Sequence, residues 1–207
     1  MARPDPTQVA RYGYDPRSRR YRDRGSGQYV AGRDVRAAVD AVIDAQSASM
    51  RQLAQRLVNG EIALADWQVQ SAALLKSLHV AMGLAANGGL AATSASDLGY
   101  LANKIKEQYK YLNRFAQEIR SGVQKLDGTL ISRAEMYTQA GRGIYENVVG
   151  RAAEDAGATE ERSVLGPADH CSSCVSQAAK GWQPINSLIP IGQRKCLANC
   201  RCTMEQR

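Results

Sequence analysis

The sequence predicts a mainly α-helical fold, with a body of about four helices followed by a small α+β module. Three observations support this prediction. Apolar residues recur at three- and four-residue steps through most of residues 33–160, which is the period of an amphipathic helix. Aromatic residues make up only 6% of the chain and alanine is common, a composition that favours helix over strand. All five cysteines lie after residue 170, where proline and short candidate strands replace the helical pattern.

Residues 1–32 are predicted to form a basic, flexible N-terminal arm. This segment interleaves arginine with tyrosine, contains several proline and glycine residues, and has few aliphatic side chains. A segment of this composition cannot bury enough apolar surface to fold alone. Because arginine and tyrosine side chains stack well on bases and on protein surfaces, two interpretations are open: a solvated tail, or an arm that orders on a partner.

Residues 33–160, the helical body, are predicted to contain four helices of about 20 residues or more. Asn-Gly sequences break the pattern after the first and second helices, and Gly157 follows the fourth. Ser94 with Asp97, and Ser132 with Glu135, have the spacing of capping boxes at the starts of the third and fourth helices. The predicted spans are approximately 34–58, 65–86, 95–121 and 133–156.

The charge distribution separates the body from the two ends. The chain carries a net charge of +7, of which residues 1–36 hold +5 and residues 165–207 hold +3, whereas the intervening residues are nearly neutral. Basic ends on a neutral body predict contact with an acidic partner, either nucleic acid or an acidic protein face. The longest uncharged apolar run, residues 80–86, is too short to cross a bilayer, so no membrane association is predicted.

Residues 161–207, the cysteine module, carry the strongest chemical signal in the sequence. The cysteines follow the pattern Cys-x2-Cys-x21-Cys-x3-Cys-x-Cys, and a Cys-x2-Cys pair places two sulfurs on one tight turn. Thiolates bind Zn²⁺ tetrahedrally, and four of them complete a structural site. The pattern predicts a zinc-ribbon-like module with one structural Zn²⁺. The candidate ligands are Cys171, Cys174, Cys196, Cys200 and Cys202.

The spacing does not decide which four cysteines bind the metal. Cys171 and Cys174 are expected to supply two ligands, and Cys196 with Cys200 form the easier second loop, which leaves Cys202 in reserve. Two alternatives to zinc remain, namely disulfides and reduced structural thiols, although an odd number of cysteines disfavours complete pairing. An additional ligand from the neighbouring histidine at position 170 is disfavoured because adjacent residues rarely bind one ion.

No catalytic constellation is visible, and the chain is predicted not to be an enzyme. The zinc-protease motif, the phosphate-binding P-loop and the nucleophile elbow are all absent from the sequence. His79 lies among apolar residues of a predicted helix and is interpreted as a packed side chain. The two small residues Gly141 and Gly143 are interpreted as sites of close helix packing, and Trp67 and Trp182 as core anchors.

The C-terminal third resembles the phage Mu F-type head morphogenesis proteins, which are minor head proteins of tailed phages. The resemblance rests on the Asp-x-Cys-x2-Cys turn at 169–174, the Asn-Cys-Arg-Cys close at 199–202 and the Ser-Arg-Ala-Glu helix start at 132–135. A weaker Gly-x-Ile…Trp pattern at 60–67 extends it upstream. A cysteine at 196 stands near the place where many members carry histidine in a His-Pro-Asn sequence before Cys-Arg-Cys.

This resemblance implies a structural component of the virion head that contacts portal or major capsid protein during head assembly in the host cytoplasm. The basic termini then become candidate contacts with packaged DNA. The alternative function is a zinc-containing nucleic-acid-binding regulatory protein, which the net charge and the cysteine module support. Against this alternative, only Lys180, Arg194 and Lys195 are basic between the first and third cysteines.

Overall fold

The computed structural model describes residues 9, 11–15, 18 and 20–207. Most of this part of the chain is helical, as predicted, and its strands lie near the two ends. The elements in chain order are β1 (Tyr12–Asp15), β2 (Arg20–Asp23), β3 (Tyr29–Val30), α1 (Gly32–Val58), α2 (Leu64–Asn87), α3 (Ala95–Arg120), α4 (Gly128–Asp155), β4 (Glu160–Val164), α5 (Ser172–Ala179), β5 (Gln183–Pro184) and β6 (Thr203–Gln206).

Helices α1 to α4 form the predicted helical body. α2 packs against α1, α3 and α4, and α4 also packs against α1. The helical periodicity predicted for α1 is confirmed, because its apolar stripe is buried. One core cluster surrounds Met82 and Tyr145, and a second surrounds Trp67 and Phe115, whose rings meet edge to face with 5.4 Å between centroids. Trp67 is therefore the core anchor that the sequence predicts.

The helix starts confirm one predicted cap and correct the other. At the start of α3, the backbone N–H of Asp97 donates to Ser94 Oγ over 3.1 Å, and the Asp97 carboxylate accepts a hydrogen bond from the Ser94 backbone N–H. α4 begins earlier than the predicted Ser132, because Asp127 accepts a hydrogen bond from the Thr129 backbone N–H and caps the helix there. This extra turn also buries Leu130 completely in the core.

The N-terminal segment differs from the flexible arm predicted for it. Within the described residues, β1, β2 and β3 form an antiparallel sheet, Val9 is buried in the first core cluster, and the Tyr145 hydroxyl donates to the Tyr21 hydroxyl over 2.9 Å. Gly88, in the left-handed conformation at the end of α2, lies so close to Gly13 that a Cβ would collide with its backbone. The segment thus orders against apolar surface of the helical body, which its own composition does not reveal; residues 1–8, 10, 16, 17 and 19 lie outside the described part.

Among the described helices, α2 alone is long and apolar enough to cross a membrane by length and composition. Half of the residues in its most apolar 18-residue stretch are buried inside the protein. Its packing against three other helices gives these apolar residues a partner without a bilayer. This position matches the core helix of a helical bundle.

The cysteine module contains the second sheet, in which β4 lies between β5 and β6 and pairs antiparallel with both. Opposite charges face each other across β4 and β6, where Arg162 pairs with Glu205 over 2.6 Å. The predicted core role of Trp182 is wrong. Its half-buried ring lies on the module surface beneath the guanidinium groups of Arg162 and Arg207, at 4.8 and 4.3 Å from the ring centroid.

The close approach of α2 and α3 at Gly83 gives a stability test. A Cβ at Gly83 would overlap the buried side chain of Leu101, so we expect Gly83→Ala to destabilise the protein by about 1–3 kcal/mol. Gly99, exposed on α3, has open space around its Cβ position, and Gly99→Ala is expected to stabilise the helix by about 0.5–1 kcal/mol. Urea unfolding of both variants measures the difference, and equal stability would contradict this packing.

Candidate metal centre

The five cysteines converge from two separated segments of the module. Cys171 is the N-cap of α5, and Cys174 lies in its first turn. Cys196 and Cys200 flank a short 3-10 turn, and Cys202 directly precedes β6. The structure therefore brings together every residue that the sequence predicts as a ligand. They form two overlapping groups of three, each with all its sulfurs within 4.8 Å of one another, and Cys174 belongs to both groups.

The three sulfur separations measured from Cys174 are close to those of a tetrahedral thiolate site. The Sγ atom of Cys174 lies 3.6 Å from that of Cys171, 3.4 Å from that of Cys196 and 3.6 Å from that of Cys200. Four sulfurs at about 2.3 Å from one ion are separated by about 3.8 Å along each tetrahedron edge. All five cysteines are free thiols, since these separations are far longer than a disulfide bond of about 2.05 Å. Each group of three could therefore hold a metal ion, and a fourth sulfur has to move closer to complete a tetrahedral site.

His170 contacts the fifth cysteine. Its Nε2 lies 2.9 Å from the Gly166 carbonyl oxygen, and its Nδ1 lies 3.8 Å from the Cys202 Sγ atom. Because a carbonyl only accepts, Nε2 carries the proton and Nδ1 is left as an acceptor facing the thiol. Cys202 thus contacts His170 and also lies in one group with Cys174 and Cys200. We favour Cys171, Cys174, Cys196 and Cys200 as the ligand set because Cys202 is the cysteine with this second partner.

The thiols titrate very differently because their environments differ. A hydrogen bond from the backbone N–H of Cys174 is the main cause that lowers the pKa of Cys171 to about 7. Burial raises the pKa of Cys174 and of Cys196, and it raises the pKa of Cys202 to about 12. In the free protein most of these thiols stay protonated at neutral pH. A bound cation reverses this preference, because it stabilises the thiolates that bind it.

Three buried polar side chains hold the loop that carries Cys196. Arg194, which is 1% exposed, donates to the Ile189 carbonyl over 3.0 Å and to Ser163 Oγ over 2.8 Å. The carboxylate of Glu161 and the amide oxygen of Gln177 accept hydrogen bonds from backbone N–H groups of the same loop. Arg194 has no carboxylate partner within the described chain, and a negatively charged thiolate cluster two residues away would offset its charge. The sequence alone marked Arg194 only as a basic residue and gave no sign of this role.

The module is anchored to α4 at two points. A Cβ atom added to Gly143 would lie only 3.0 Å from the Ile191 carbonyl oxygen. The absence of a side chain at Gly143 therefore allows the module loop to pack directly against α4. The buried carboxyl of Glu146 accepts a hydrogen bond from the backbone N–H of Met204 in β6 over 3.1 Å. Gly141 packs against Leu78 of α2, which confirms the close helix packing predicted for it, whereas Gly143 contacts the module loop and not a second helix. No sequence signal marked Glu146.

His79 is fully buried on α2, as predicted for a packed side chain. Its Nδ1 lies 2.9 Å from the Leu75 carbonyl oxygen of the same helix. Burial lowers its pKa to about 4, so the imidazole is neutral at physiological pH. Within the part of the chain that the structure describes, its Nε2 has no hydrogen-bond partner.

Comparisons with known proteins return no relative of this chain. No protein-family model matches it, no curated protein matches it, and no solved structure matches it. Its chemistry is therefore inferred from the geometry of its own residues.

The shared position of Cys174 predicts unequal effects of cysteine substitution. We expect Cys174→Ser to abolish metal retention, because this sulfur belongs to both groups of three. Cys202→Ser is its matched control, and it should retain the metal because His170 engages Cys202. Elemental analysis of both variants purified under reducing conditions measures the difference. Loss of metal from both variants would show that Cys202 is also a ligand, and retention of metal by Cys174→Ser would contradict the site.

The buried carboxyl of Glu146 predicts a pH-dependent stability. Burial raises its pKa to about 7 in the folded protein, above its ordinary value. Between about pH 4.5 and 7 the folded state therefore binds more protons than the unfolded state, and the free energy of unfolding falls as pH rises through this window. Glu146→Gln removes the ionisation and should gain stability relative to the parent protein as pH rises from 5 to 8.

Urea unfolding at both pH values measures this change. Glu107→Gln, which replaces an exposed carboxyl on α3 that pairs with Lys104, is the control for loss of a surface carboxylate. A stability difference for Glu146→Gln that stays constant with pH would exclude a protonated Glu146 in the folded state.

Proposed function

We propose that the cysteine cluster holds one structural Zn²⁺, bound by Cys171, Cys174, Cys196 and Cys200. An all-thiol donor set is typical of structural zinc, and four thiolates leave no open coordination position. The module has about 47 residues, too few to be held by apolar burial alone, so a metal would supply free energy of folding. In a reducing compartment the ion also protects the thiols from oxidation.

We propose that the whole chain is a structural component of a tailed-phage head that acts near portal or capsid protein during assembly. The observation that carries this proposal is the thiol cluster, in which the Cys200-Arg201-Cys202 close of the resembled family meets the Cys171-x2-Cys174 turn. The module packs against α4 of the helical body. A metal would stabilise this module, whereas the helical body is held by apolar packing. Such a body suits a scaffold or connector better than a catalyst.

We propose no catalytic activity for this chain. The sequence holds two histidines, and both have structural positions: His79 is buried in α2, and His170 contacts Cys202. A general acid or base must reach a substrate, and neither imidazole lies in a cavity described here. The buried carboxyl of Glu146 binds the β6 backbone instead of facing solvent.

The geometry favours the structural role over a zinc-containing regulator. A DNA-reading finger presents successive side chains of a helix to base edges. The helix of this module, α5, has the sequence SSCVSQAA and carries no basic side chain. Arg194 is buried, and the Nζ atom of Lys195 donates a hydrogen bond to Ser172 Oγ over 3.2 Å. The module therefore offers no helix suited to sequence-specific readout.

Composition of purified particles tests the proposed function. We expect mass spectrometry to find the protein in gradient-purified phage particles or in proheads, where it can be cross-linked to portal or capsid protein. Elemental analysis of the purified protein should find about one zinc per chain. A non-structural phage protein of similar abundance in the lysate is the control for carry-over. Absence from both particles and proheads would contradict the structural role, whatever the metal content.

A further inference from the structure

Two adjoining cavities lie between the first turns of α1 and the cysteine module. The first has a volume of about 570 Å³ and lies between α1, α4 and the segment before Cys171. The second has a volume of about 520 Å³ and extends along β6 towards the N-terminal sheet. Arg36 lines both cavities, and consecutive β6 residues, Thr203 and Met204, line one each. We name the two cavities, which share Arg36 as a lining residue, the arginine groove.

The groove is strongly positive and its cations are all arginines. Of the described residues that line it, the only acidic ones are Asp40 and Glu205, and both are already ion-paired, with Arg142 and Arg162 respectively. No lysine lines either cavity in this part of the chain. The guanidinium groups that line the groove are those of Arg20, Arg33, Arg36, Arg142, Arg201 and Arg207.

Several of these guanidinium groups are free to bind a ligand. Arg36 is half-buried and makes no direct hydrogen bond or ion pair with the described residues, although its charge acts on the buried carboxyl of Glu146. Arg33 makes only an exposed contact of 3.6 Å with Asp34. Arg201 makes one long hydrogen bond of 3.4 Å, to Gln139. A half-buried arginine without an anion loses hydration and gains little in return, so this arrangement favours binding of an external anion.

We propose that the arginine groove binds the phosphate backbone of a nucleic-acid strand. A guanidinium donates two parallel hydrogen bonds to a phosphate, which explains the use of arginine throughout. Each cavity is far larger than one phosphate group, and Arg36 lines both, so a ligand with repeated phosphates fits better than a single anion. The contact is with backbone and not with bases, so it carries no sequence preference.

This inference does not depend on the proposed function. It places the nucleic-acid contact in the groove of the folded protein and not on separate basic ends. The sequence assigned DNA contact to the basic termini, whereas the groove joins arginines from both ends of the chain with Arg142 of α4. The first turns of α1 and the last strand of the module form its two walls. Folding of the module is therefore required to complete the site.

Fluorescence anisotropy with a dye-labelled oligo(dT) of about 20 nucleotides tests the groove. The full chain, Arg33→Gln/Arg36→Gln, and Arg56→Gln/Arg120→Gln are compared over a range of salt concentrations. The last variant removes the same charge from the far ends of α1 and α3 and serves as the matched control. We expect the groove variant to bind about tenfold more weakly and its salt slope to fall by about 0.7 for each phosphate that the protein no longer neutralises.

The outcomes separate the groove from general charge. Thermal unfolding monitored by circular dichroism verifies that both variants are folded at the temperature of the binding measurement. Equal weakening by the two variants, or no binding by the parent protein at low salt, would overturn the proposal. Displacement of the strand by poly-glutamate of equal charge would identify an acidic protein segment as the ligand. Displacement by inorganic phosphate at an equal phosphate concentration would identify a site for a single anion. Either result would also overturn the proposal.

Discussion

α4 is buried on every side between residues 141 and 146, and the rest of the molecule is arranged around this stretch. A helix enclosed in this way needs a different neighbour for each face. Gly141 accommodates α2, Gly143 accommodates the loop of the cysteine module, and Tyr145 meets the N-terminal sheet through Tyr21. Small residues allow backbones to approach closely, so the two glycines set how near these neighbours can lie.

Apolar packing alone buries too little surface to stabilise the cysteine module, and the thiol cluster is the feature that could supply the rest of its stability. The module has only a small buried cluster of its own, formed by Ile191 and three of the cysteines. Its remaining order comes from buried polar contacts, above all those of Arg194 and Glu161. Buried polar contacts are costly to break but contribute little net free energy, so they specify the shape of the module without securing its folding. A metal bound to four thiolates would secure it.

The sequence allowed prediction of features that depend on local pattern. Helix periodicity located α1 to α4, and the cysteine spacing identified the residues that meet in the cluster. The start of α4 was misplaced because Asp127 and Ser132 both have capping side chains, and only packing of Leu130 distinguishes them. Arg194 and Glu146 were not predictable, because each is a single polar residue whose role depends on contacts far along the chain. The N-terminal sheet was missed for a related reason: its apolar partner surface belongs to the helical body.

Hydrogen exchange of the purified protein before and after metal removal tests the central role of the thiol cluster most directly. The metal is removed with a chelator under reducing conditions, so that disulfides cannot replace it. We expect backbone amides of residues 161–207 to lose protection, while those of α1 to α3 keep it, because the helical bundle has its own apolar core. Unchanged protection of the module in metal-free, fully reduced protein would contradict a structural metal.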